Sequence, residues 1–228
     1  MASSSQKVGA VIFLHGSGDT GAGFRQWIGR ESFVEALRRK GVRTEFPSAT
    51  PIAYSLTGAR DSVWFDRVGG MAPSNPEQTD SVERSATQIN ALINKLVAED
   101  IPSEKIAVGG FSMGGGMAIQ AALRSQHTLA GIFTMSSYLC DDAAIYKRLE
   151  TRGNSDEGES VSLRDLPPIW MAHGEKDDFV LPGWGQATSQ RLKALRLDVK
   201  FTTYPGLHHE FNASELEDLN EWLSPLVL

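Results

Sequence analysis

The chain has 228 residues, 41% hydrophobic and 22% charged, with a formal net charge of −6. That is an ordinary globular balance with enough length for one substantial core, and its sign and lack of a Lys/Arg run exclude nucleic acid as an expected partner. The single cysteine, Cys140, can form neither an intramolecular disulfide nor a Cys-rich zinc site, so it implies no oxidising compartment and is read as a small packing residue.

At the N-terminus no charged region precedes an apolar stretch, and the first apolar run, Val8–Leu14, stops at His15 and Gly16. That is the behaviour of a buried strand, not of a secretory signal. No segment approaches the roughly 18 to 20 apolar residues of a membrane span, and position 2 is not glycine. The expectation is a cytoplasmic protein without stable membrane insertion, with transient membrane contact left open.

Apolar runs of strand length recur at Val42–Phe46, Ile106–Phe111, Gly131–Met135, Ile169–Ala172 and Val199–Tyr204. Several are apolar on both faces, the pattern of a parallel sheet covered on both sides. Between them lie helical spacings. The clearest is Val82, Ala86, Ile89, Ile93, Leu96 and Val97, one stripe recurring every three or four residues. The last helix is predicted to start at Asn212, with Asn212 capping the first turn, Glu215 reaching back, and Leu216, Leu219, Trp222 and Leu223 turned inward. Alternating strands and helices predict a single α/β domain over residues 1–228: a mostly parallel central sheet with helices on both faces.

Two segments resist this scheme. Residues 47–79 hold several prolines and glycines but no long periodic stretch, which predicts a lid or substrate loop. Trp64, Phe65 and Met71 within it either anchor the loop or line a substrate groove. Residues 152–164 are acidic and rich in Ser and Gly, and read as a mobile insertion.

The chemistry gathers at strand ends. Gly110-Phe111-Ser112-Met113-Gly114 follows an apolar strand and precedes a helix, an arrangement that lifts a serine off the sheet edge with its hydroxyl exposed. A serine hydroxyl is a poor nucleophile at neutral pH and needs a histidine base held by a carboxylate. Downstream, one strand runs into His173-Gly174-Glu175-Lys176-Asp177-Asp178 and another into Gly206-Leu207-His208-His209. Serine, acid and histidine thus arrive in the chain order of α/β-hydrolases, each just past a strand C-terminus, where open α/β sheets bind ligands. Spacing alone does not choose between Asp177 and Asp178, or between His208 and His209. His15 and His173, each before a glycine at a strand end, are read as packing or backbone-bonding residues, and His127 as part of a polar helix end.

The loop after the first strand, Gly16-Ser17-Gly18-Asp19-Thr20-Gly21, supplies a candidate oxyanion donor, the Ser17 N–H, to join that of Met113. The same residues satisfy the Gly-x-Gly-x-x-Gly dinucleotide fingerprint, with Glu45 where a ribose-binding carboxylate would lie. Against a nucleotide-binding oxidoreductase stands Asp19, which would face a pyrophosphate with negative charge. That reading also leaves the serine elbow and the acid and histidine loops without a purpose.

Taken with Trp64-Phe65-Asp66, these motifs resemble, along almost the whole chain, the acyl-protein thioesterase and lysophospholipase family of small carboxylesterases. Ser17, where the thioesterases more often carry Leu, makes the likeness greatest to the lysophospholipase-like branch. The resemblance implies an α/β-hydrolase fold without cofactor or metal, acting on S-acylated proteins or small acyl esters. The alternatives are a lysophospholipase, a general short-chain carboxylesterase or, more remotely, a non-catalytic ligand-binding protein on the same fold. It also implies Ser112, Asp177 and His209 as the catalytic residues, through its His-Gly-x-x-Asp and Gly-x-x-His patterns. The chain departs from the family at Asp178, where proline is common, and in the length of the 152–164 insertion, both beside loops that shape substrate choice.

Overall fold

A computed structural model describes residues 9–29, 32–152 and 166–228. Six strands form one sheet: β1 (Ala10–Leu14), β2 (Arg43–Glu45), β5 (Ile106–Phe111), β6 (Gly131–Met135), β7 (Ile169–Gly174) and β8 (Val199–Tyr204). Their order is β2-β1-β5-β6-β7-β8 and every neighbouring pair is parallel.

The both-face apolar runs have a direct cause. In β1, Ala10, Ile12 and Leu14 join one core while Val11 and Phe13 join the other, and all five are fully buried. The first core packs α3 (Thr79–Ala98), α4 (Met113–Ala122), α5 (Ala144–Arg152) and α6 (Pro182–Ala194) against the sheet. The second packs α1 (Gly21–Ile28), α2 (Phe33–Arg39) and α7 (Ala213–Val227) on the opposite face. The predicted stripe of α3 is the buried face, with Val82, Ala86, Ile89, Ile93 and Leu96 inside and Val97 packed partly against the core.

Two local readings are corrected. Residues 47–79 are not loop throughout: β3 (Ile52–Tyr54) and β4 (Ala59–Asp61) pair as an antiparallel hairpin, and Thr79 already opens α3. At the head of α7 the Asn212 side chain accepts from the Glu215 N–H at 2.9 Å, as a cap should. The Glu215 carboxyl does not reach back, for it is fully buried and among the described residues neither oxygen has a hydrogen-bond partner. Burial, with Asp218 one turn away, pushes it up to about 8. Of the acidic segment 152–164, all but Arg152 lies outside the described residues.

Strand order positions the site. After β2 the chain crosses back over β1 to enter the sheet as β5, so the order reverses between β1 and β5. The C-terminal side of such a reversal is where the flanking loops part and leave a crevice.

Candidate active site

Ser112 stands between β5 and α4 with φ 53° and ψ −124°, a backbone conformation that L residues rarely adopt. Its N–H donates to the Met135 carbonyl at 2.9 Å, and its carbonyl accepts from the Ser137 hydroxyl at 2.6 Å. Two glycines make the turn possible. A Cβ on Gly110 would lie 2.4 Å from the Leu14 carbonyl oxygen, and one on Gly114 only 2.2 Å from that same atom. Strand β1 and helix α4 cross too closely here for any side chain.

Asp177 follows β7, and Oδ1 accepts from the Phe179 and Val180 N–H groups at 3.0 and 2.8 Å, an Asx turn that locks the carboxylate. The His209 Nδ1–H donates to Oδ2 at 2.8 Å, and His173 Nε2 stands 3.4 Å from the same oxygen. Burial by itself pushes this carboxyl up, yet hydrogen bonds from His173, His209 and the Val180 N–H outweigh it and hold Asp177 well below the usual carboxylate range. His209 follows β8 with its ring between Phe111 and Phe179, at centroid distances of 4.7 and 5.0 Å. With Nδ1 committed to Asp177, Nε2 is left to accept the Ser112 hydroxyl at 3.0 Å.

Ser112, His209 and Asp177, scattered over three loops, thus form one hydrogen-bonded chain. The alternatives Asp178 and His208 are both solvent-exposed. His173 donates to the Val180 carbonyl at 2.8 Å. His15 pairs Nδ1 with the Gly16 carbonyl and Nε2 with the Ala49 N–H, and burial lowers its basicity. His127 bonds Asn94 at the protein's edge. All three serve the backbone or a neighbouring side chain.

A cleft of about 360 Å³ opens over the serine. Ser17, Ser112 and His209 line it, with Trp27, Tyr54, Leu56, Met71 and Phe179 as its apolar walls. A Cβ on Gly16 would lie 3.5 Å from that of Ser112, so the Gly16–Ser17 turn abuts the serine. Among the described residues neither the Ser17 N–H nor the Met113 N–H has an acceptor. Of the three loop residues singled out in the sequence, Met71 lines the cleft. Trp64 is fully buried in the core, and Phe65 lies in the core beside a smaller neighbouring cavity. Glu45, the would-be ribose ligand, is ion-paired with Arg43. The described residues contain no cluster of three or more His, Cys, Asp or Glu side chains able to hold a metal ion.

Residues 1–227 match the family model described as phospholipase/carboxylesterase. The chain belongs to this family. Among its relatives, mouse lysophospholipase-like protein 1 is 35% identical over 94% of this chain and 85% of its own length. Acyl-protein thioesterase 1 of Gibberella zeae is 32% identical over 96% of this chain and 91% of that protein. The crystal structure of Zea mays acyl-protein thioesterase 2 superimposes with a TM-score of 0.81 at 24% identity, covering 100% of this chain and 97% of that one. Arabidopsis thaliana SOBER1 does so with a TM-score of 0.77, also at 24% identity, covering 96% and 99%. These two likenesses establish the α/β-hydrolase fold.

Within this phospholipase/carboxylesterase fold, sequence reasoning passed over Phe179. Its signal was present, an aromatic followed by Val180 and Leu181 in an otherwise polar loop. The Asp177 carboxylate holds the Phe179 N–H, and the ring, 54% exposed, covers one side of His209.

Proposed function

We propose that the protein is a serine hydrolase that cleaves acyl thioesters and esters, with S-acylated proteins as its principal substrates. The observation that carries this reading is the chain Ser112–His209–Asp177, with bonds of 3.0 and 2.8 Å and an acid held ionised at its far end. Ser112 attacks the acyl carbonyl as His209 takes its proton, and Asp177 stabilises the imidazolium. The N–H groups of Ser17 and Met113 receive the oxyanion. His209 then protonates the departing thiol or alcohol, activates a water, and the acyl-enzyme is hydrolysed through the same geometry.

The apolar cleft supports an acyl chain as the group bound. Met71 is its proposed contact in the substrate loop 47–79, with Trp64 and Phe65 holding that loop in place. Residues 1–228 act as one domain in this reading, and the working compartment is the cytoplasm. Among the described residues no helix is long and apolar enough to cross a membrane, which leaves brief contact as the route to membrane-bound acyl groups.

A lysophospholipase or short-chain carboxylesterase uses identical chemistry, and the relative named lysophospholipase-like protein 1 supports keeping that second reading. Fluorophosphonate labelling, followed by comparison of acylated peptides, lysophospholipids and short esters, tests both. Labelling with fastest turnover of acylated peptides supports depalmitoylation. Labelling with preference for the other substrates supports the second reading, and no labelling with no hydrolysis overturns both.

A further inference from the structure

Among the described residues Arg67 is a charged side chain without an ion-pair partner. It is only 8% exposed, yet among the described residues no carboxylate lies within 4.0 Å of its guanidinium and its side chain has no hydrogen-bond acceptor. What holds it are two ring faces, with the guanidinium carbon 5.4 Å from the centroid of Phe65 and 5.1 Å from that of Tyr138.

The polar groups nearest it are either uncharged or hold hydrogen bonds to other partners. Burial pushes the Tyr138 phenol up to about 12, and its hydroxyl donates to the Met71 carbonyl. Burial pushes the Cys140 thiol up to about 11. The Asp66 carboxylate takes the Ser55 N–H and hydroxyl and the backbone N–H of Arg67. Glu77 accepts from the Ala144 N–H at 3.0 Å and from the Gln120 amide. Asp19, also in the wall of the cleft, accepts the Thr20 N–H at 2.7 Å.

Arg67 lines the same cleft as Ser112 and His209. A guanidinium remains charged at any physiological pH and offers five N–H donors in a planar fork. Fixed between two rings, this one has already lost the freedom it would otherwise give up on binding. We propose that Arg67 is a specificity-determining residue that pairs with an oxyanion carried by the substrate itself. The preferred substrate is then an acyl ester or thioester with a second, anionic group, a carboxylate or a phosphate, which docks on Arg67 while the scissile carbonyl sits at Ser112. Carboxylate and phosphate both suit the fork. The anion belongs either to the acyl part or to the leaving group.

This inference rests on the hydrolase reading above, and the test separates the two. For the acyl side, kcat/KM is compared for p-nitrophenyl butyrate and mono-p-nitrophenyl glutarate. For the leaving-group side, butyryl-coenzyme A is compared with S-butyryl-N-acetylcysteamine. Each pair is measured with wild type, Arg67→Met and Arg67→Lys at low and high salt. A wild-type preference of tenfold or more for the anionic member of one pair is expected, and the pair that shows it identifies the side. The preference shrinks with salt, collapses in Arg67→Met and survives in part in Arg67→Lys. Equal or reversed preference in both wild-type pairs overturns the proposal, as does a preference that persists in Arg67→Met. Should the Met variant fail to fold, the wild-type ratios and their salt dependence decide alone. Absence of hydrolysis of all four compounds together with absence of fluorophosphonate labelling overturns the hydrolase reading instead.

Discussion

The Trp64 indole N–H donates to the main-chain carbonyl of His15 at 2.9 Å, tying the segment between β2 and α3 to the end of β1. The His15 ring extends the tie, since its Nε2 accepts the Ala49 N–H at 3.0 Å. Trp64 therefore fixes the strand end from which the Gly16–Ser17 turn departs.

Trp64→Phe deletes that hydrogen bond and part of a fully buried side chain. We expect about 2 kcal/mol of destabilisation, with equal proportional loss of activity for all acyl chain lengths. Met71→Ala, altering the cleft wall instead, is expected to change the chain-length preference with a smaller loss of stability. Thermal melts and a series of esters of increasing length check both.

Ser112 is held at φ 53° and ψ −124°, where only glycine is at ease. Ser112→Gly is expected to be more stable than Ser112→Ala by about 1 to 2 kcal/mol, with both inactive. Denaturant melts of the two variants check this, and equal stability would mean that the turn carries no strain.

Asp177→Asn keeps the shape of the Asx turn but removes the charge that holds the His209 tautomer, and kcat is expected to fall by about 10³ to 10⁴. The stability consequence has a definite sign. The folded Asp177 carboxyl is depressed, so its stabilising contribution is fully present above the unfolded value near pH 4 and disappears as pH falls through the folded value. Wild type should lose stability in acid more steeply than Asp177→Asn, as measured by urea melts from pH 6 to pH 3.

Glu215 has the opposite sign. Its folded value, about 8, lies above the unfolded value of 4.5, so the native state retains a proton that the unfolded chain releases. Its effect is to lower stability as pH rises from about 4.5 to 8 and to level off above. Glu215→Gln removes the titration and is expected to gain roughly 3 to 4 kcal/mol over wild type at pH 8 relative to pH 5. Parallel urea melts at the two pH values check the difference.

Much of this was legible in the chain because the main signals are local. Apolar runs on both faces marked β1, β5, β6 and β7, and a 3.6-residue stripe marked α3. The serine elbow and the loops of Asp177 and His209 sit at strand ends, so their meeting followed once the sheet was read as parallel. What escaped depends on tertiary packing. The hairpin Ile52–Tyr54 with Ala59–Asp61 has strands of three residues each, too short for alternation to register. Glu215 reads as a capping partner by spacing, but its position on α7 turns it into the core beside Leu216 and Leu219. Trp64 and Met71 look alike in sequence, and only the fold buries one and exposes the other to the cleft.

The central claim is that the Ser112 hydroxyl is activated by His209 and Asp177. Fluorophosphonate labelling of wild type and Ser112→Ala, with intact-mass detection and hydrolysis of an activated short-chain ester followed in parallel, tests it most directly. We predict one adduct on wild type, located on Ser112, with neither adduct nor turnover in a folded Ser112→Ala protein. Labelling elsewhere, or near-wild-type hydrolysis by the variant, would contradict it.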